Sequence, residues 1–178
     1  MKTAAPSLLL ALVLSAISAP VFACGIVYGS DWSFASVTPK GWDSACAEES
    51  VEGTAVTIWP HGQTMSTANG LIYVTVSEKV PADLKAFADD EQVRFKQSSP
   101  TSHVSVLKAP NQSGKYKYIL SRIEDAPGKH EEIVAYMDGP TAFYIVVLSA
   151  DSPALLNSYK AAFLEYVENF TPMANGQH

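Results

Sequence analysis

The segment from Phe143 to Phe170 limits most strictly what this chain can fold into. Phe143-Tyr144-Ile145-Val146-Val147-Leu148 is an unbroken apolar run of strand length, and a strand apolar on both faces belongs in the middle of a sheet. Ser152-Pro153 follows, a capping residue and then a proline at the first helical position. Beyond it Leu155, Leu156, Tyr159, Ala162, Phe163, Tyr166, Val167 and Phe170 recur at helical spacing as one broad apolar stripe. Thr171-Pro172 ends the helix. A stripe that wide must lie on a sheet, so the C-terminal fifth already predicts helix packed on strand.

The remaining elements follow from alternation and turn chemistry. Trp32 and Phe34 alternate with polar neighbours in a first strand reaching Val37, and Thr38-Pro39-Lys40-Gly41 turns into Trp42. Asp43 to Gly53 is polar and acidic and reads as an exposed loop carrying Cys46. Thr54 to Trp59 and Leu71 to Val76 are the next strands, the second introduced by the turn pair Asn69-Gly70. A helix is predicted to start near Pro81-Ala82-Asp83, with Leu84, Phe87, Ala88 and Phe95 on its apolar side, and to end before Ser98-Ser99-Pro100. Four strands come next: His103 to Leu107, Lys115 to Ile123, His130 to Met137 and Thr141 to Leu148. Their short connections make neighbours antiparallel. The predicted order is β-β-β-α-β-β-β-β-α, an α+β fold with an antiparallel β-sheet packed with helices.

The N-terminus sets a compartment. Lys2 precedes an apolar stretch from Leu8 to Ile17, too short for the roughly 20 residues of a membrane-spanning helix. Pro20 and Val21-Phe22-Ala23 complete the layout of a removable secretory signal. Residues 1–23 are therefore expected to be a signal peptide, 24–172 a single α+β domain and 173–178 a C-terminal tail. Both cysteines of the chain, Cys24 and Cys46, then lie in an oxidising space and are expected to pair. Such a bridge closes a loop of about 20 residues and contributes around 3 kcal/mol. The alternative is a lipid anchor on Cys24, which Phe22 fits poorly.

Composition removes some function classes. Hydrophobic residues make up 47% and charged residues 17% of the 178-residue chain, the balance of a globular domain. A net charge of −6 with no dense basic stretch argues against nucleic acid as partner. No apolar run after the signal is long enough to span a membrane.

Catalytic patterns are sparse. There is no G-x-S-x-G elbow. In His130-Glu131-Glu132-Ile133-Val134 the place of the second histidine is taken by valine, so the zinc motif H-E-x-x-H is not formed. His61, His103 and His130 would need the fold to bring them together with carboxylates before a metal or hydrolytic centre existed. Glu48-Glu49, Asp89-Asp90-Glu91, Glu124-Asp125 and Glu131-Glu132 read as wet surface. No cofactor is expected. The most distinctive cluster is Trp59-Pro60-His61-Gly62 together with Trp32 and Trp42; Trp42, Trp59 and His61 are the candidate binding residues, since tryptophans that are not core can line a groove.

Two stretches are similar to a known superfamily. Phe34-Ala35-Ser36-Val37-Thr38-Pro39-Lys40-Gly41-Trp42 resembles the opening strand and proline–glycine–tryptophan turn of PsbP-like or DcrB-like domains. Phe163-Leu164-Glu165-Tyr166-Val167-Glu168-Asn169-Phe170 resembles their closing helix, and the strand pair around Asp138-Gly139-Pro140 fits as well. The resemblance implies a PsbP-like fold and an accessory, assembly or chaperone-like binding role, with no catalytic residue to carry over. The cysteine pair and the acidic stretch after Trp42 depart from the pattern. The expectation is an exported, periplasmic or secreted, non-enzymatic binding protein whose partner is another envelope or secreted protein. The alternatives are an enzyme built on the histidines and a lipid-anchored envelope component.

Overall fold

The structure, a computed structural model, describes residues 25–46, 50–80, 83–109, 116–124 and 131–174. The expected signal segment, Cys24 and His130 lie outside the described residues. The strands are β1 (Ile26–Tyr28), β2 (Ser33–Ala35), β3 (Trp42–Cys46), β4 (Val56–Pro60) and β5 (Gly70–Glu78), followed by helix α1 (Leu84–Ser98). Then come β6 (His103–Leu107), β7 (Tyr118–Glu124), β8 (Glu131–Asp138) and β9 (Ala142–Ala150), helix α2 (Pro153–Asn169) and β10 (Thr171–Met173). A seven-stranded sheet runs in the order β3-β4-β5-β9-β8-β7-β6, and a small sheet in the order β1-β2-β10. Among the described residues every strand pair is antiparallel. The α+β class and the antiparallel sheet with packed helices are as predicted, and the apolar run in β9 does occupy the central position.

Both helices begin where their capping chemistry puts them. Asp83 accepts from the Ala86 N–H at 2.9 Å, and Ser152 accepts from the Leu155 N–H at 3.3 Å with Pro153 behind it. Helix α2 packs on β5, β8 and β9, burying Leu156, Phe163, Tyr166 and Val167 against Ile58, Ile72, Val146 and Leu148. Helix α1 packs on the opposite face over β7 and β8, where Phe87 and Ala88 meet Tyr136, Phe143 and Val147. Alternation along each strand assigns successive side chains to the two layers.

Three short elements depart from the sequence reading. Asp43 to Cys46, expected in a loop, continues from Trp42 as β3 and pairs with β4 from Trp42↔Pro60 to Cys46↔Val56. Its small and acidic side chains hid an alternation that becomes legible only beside β4. Strands β1 and β10 are three residues each, too short to show a period. Strand β10 follows directly on α2 and ends at Met173. Both short strands flank β2, whose Phe34 is fully buried, stacked on Phe170 at 4.6 Å and edge-on to Tyr144 at 5.5 Å. The Tyr144 hydroxyl donates to the Ser33 carbonyl at 2.8 Å and ties the small sheet to the large one.

Candidate binding surface

The β3–β4 register decides how the predicted site residues are arranged. Trp42 lies opposite Pro60, and Asp43 lies opposite Trp59. Neighbouring residues of a strand point to opposite faces, so Trp42 and Trp59 are on different sides of the sheet. Trp42 turns toward α2, where its ring meets Tyr159 edge-on at 5.1 Å and packs against the core. It closes a seam instead of sharing a groove with Trp59. Trp32 likewise packs as a partly buried ring on Phe34 at 5.9 Å.

Trp59 and His61 are linked through Asp43, cross-strand partner of the first and hydrogen-bond partner of the second, a residue that the sequence did not single out. His61 Nδ1 is 3.0 Å from the Asp43 carboxylate, and the His61 backbone N–H donates to the Gly41 carbonyl at 2.8 Å. Gly41 and Gly62, with φ of 81° and 85°, supply the left-handed backbone that the turns on both sides of this contact require. The His61 side chain is 76% exposed. Its hydrogen bond to Asp43, with the charge of that carboxylate behind it, raises its pKa above the ordinary histidine value. The pair thus marks the rim of the sheet face that holds half-buried Trp59, Leu71, Tyr73 and Thr75.

Helix α1 covers only the far part of this face. Phe87 stacks on Phe143 at 4.3 Å and meets Tyr136 edge-on at 6.1 Å, while Gln92 donates to Ser121 at 3.2 Å. Under its inner edge sits a polar seam. The Tyr73 hydroxyl donates to Glu132 at 3.5 Å, and burial together with the Glu132 carboxylate pushes its pKa up. Tyr136 is shifted the same way by burial and by the carboxylates of Glu91 and Glu132. Both phenols therefore remain hydrogen-bond donors at any physiological pH. Beside them, a cleft of about 370 Å³ opens between the end of β5 and α1, lined by Val76, Val80, Phe87, Asp90, Glu91 and Arg94 among others.

The two described histidines, His61 and His103, do not converge. His61 follows β4, the second strand from one edge, whereas His103 opens β6 at the other edge. Five strand spacings separate them, roughly 24 Å. Among the described residues no group of three His, Cys, Asp or Glu side chains could hold a metal ion. A hydrolytic or metal centre shared by His61 and His103 is thereby ruled out on geometry. Cys46 ends β3 on the α2 side, half-buried, and is not a free thiol.

An antiparallel sheet with its long closing helix on one face and a shorter helix on the other is a PsbP-like fold, as the opening strand and closing helix suggested. Solved structures agree. Cyanobacterial PsbP (CyanoP) from Synechocystis sp. PCC 6803 superposes with a TM-score of 0.53 over 88% of this chain and 96% of its own, at 14% identity. A point mutant of the protein Mog1 superposes with a TM-score of 0.50 over 80% of this chain and 91% of its own, also at 14% identity. At that identity the likeness is one of fold. No protein-family model matches the sequence, and no curated protein matches it. Among the described residues no helix is long and apolar enough to cross a membrane.

Proposed function

We propose that this chain is an exported, non-enzymatic accessory protein that binds another envelope or secreted protein. The observation that carries the binding role is the sheet face left open beside α1. It presents a half-buried tryptophan, Trp59, at a rim defined by the exposed Asp43–His61 pair. A large aromatic flanked by an accessible ion pair is the composition of an interface centre with a polar edge. The fold shared with PsbP and Mog1 is consistent with such a role. Export is supported by the order of Lys2, the apolar stretch from Leu8 to Ile17, Pro20 and Ala23. A Cys24–Cys46 disulfide is supported by the even cysteine count of a chain read as exported and by Cys46 not being a free thiol.

Two measurements test this reading. Affinity capture from envelope extracts should recover a partner with the wild-type protein and lose it with Trp59→Ala and His61→Ala; retention of every partner by both variants removes this surface from consideration. The mass of the exported protein should begin at Cys24 and be two hydrogens lighter than the dithiol. An acylated Cys24 would instead make the protein a lipid-anchored envelope component.

A further inference from the structure

A sheet edge exposes backbone N–H and C=O groups that will pair with any extended strand, and proteins normally block it with shortness, proline or charge. Three of the four edges described here are blocked in one of these ways. Strand β1 is only three residues long, and β10 is equally short and contains Pro172. Strand β3 carries Asp43, held in its contact with His61. Strand β6 is different. It is five residues long, His103-Val104-Ser105-Val106-Leu107, without proline, lysine, arginine or acid. It pairs with β7 through five consecutive partners, so no bulge twists it away. His103, Ser105 and Val106 are exposed, Val106 at 69%.

From this we infer that β6 is a pairing edge whose occupant is the β6 strand of a second copy of the same chain. The strand is close to a palindrome about Ser105. Antiparallel pairing around a two-fold axis through Ser105 puts Val104 of each copy opposite Val106 of the other, and His103 opposite Leu107. Val104 and Val106 share the α1 face, because their β7 partners are Ile123 and Ser121. All four valines of the pair then lie side by side on one surface, removing Val106 from water in both copies. Such a contact is isologous and closed, joining two seven-stranded sheets into one.

Sedimentation velocity on the purified protein, from submicromolar to submillimolar concentration, tests the assignment. The wild type should double its mass as concentration rises. Val106→Lys and Ser105→Pro should each weaken the dimer by about tenfold or more, because every substitution acts twice across the axis. Amide hydrogen exchange of the wild type needs no variant: protection in β6 should increase at high concentration while that of β9 stays constant. A wild type that is monomeric throughout, β6 protection that ignores concentration, or a dimer unchanged in folded Val106→Lys would overturn the inference. So would a monomer that instead takes up a synthetic peptide of residues 103–107.

Discussion

His61 acquires on folding a carboxylate neighbour 3.0 Å away that the unfolded chain does not hold in place, and its pKa rises accordingly. A group whose pKa is raised by folding stabilises the native state fully below its unfolded value, near 6.5, and loses that contribution as pH climbs through the higher native value. The pair is solvent-exposed, so salt weakens it. NMR titration should place the His61 midpoint above the usual histidine value, and Asp43→Asn should return it. A midpoint indifferent to Asp43 would show that the contact is not maintained in solution. Tyr144 offers a contrast, because its hydroxyl is buried. Tyr144→Phe leaves the Ser33 carbonyl without its donor and should cost about 1–2 kcal/mol in urea unfolding, with no pH dependence near neutrality.

The two helices differ in how firmly they are seated, although each is well capped. Helix α2 buries four side chains, two of them aromatic, in the larger core, whereas α1 buries only Phe87 and Ala88. Amides in α1 should therefore exchange with solvent distinctly faster than those in α2; equal protection would mean that α1 belongs to the same cooperative unit. Ser152→Ala should cost about 1 kcal/mol, measured as a lowered denaturation midpoint. This difference also explains what was legible in the sequence. Ser152-Pro153 and the stripe from Leu155 to Phe170 declare α2 because cap, propensity and periodicity agree there. Strand β9 announces its central place because both of its faces are covered. Strand β3 stayed hidden because Asp43, Ser44 and Ala45 have no preference for a strand except the one imposed by β4. The site was legible to the same degree. Trp59 and His61 stood out as residue types, but their partner Asp43 is 18 positions from His61 in sequence and reaches it only through the hairpin register. The same register explains why Trp42, so similar in sequence context, faces the opposite layer.

Across the whole molecule, the small sheet gathers distant parts of the chain around one side chain. Phe34 touches Phe170 at the end of α2 and Tyr144 in the central strand, and β2 is bracketed by β1 and β10. Phe34→Ala should destabilise the protein by about 3–5 kcal/mol, seen as a drop in melting temperature, because the cavity lies where three elements meet. A small effect would mean that the bracket contributes little to global stability.

Because β1 and β10 both run antiparallel to β2, they run parallel to each other on either side of it. The chain enters β1 at Ile26, level with Ala35, and leaves β10 at Met173, level with Ser33. Tension applied to the segments flanking these strands would drag them in opposite directions along β2. The cross-strand hydrogen bonds would then be loaded together in shear and not peeled one after another, so this patch should resist extension better than strands pulled apart from one end.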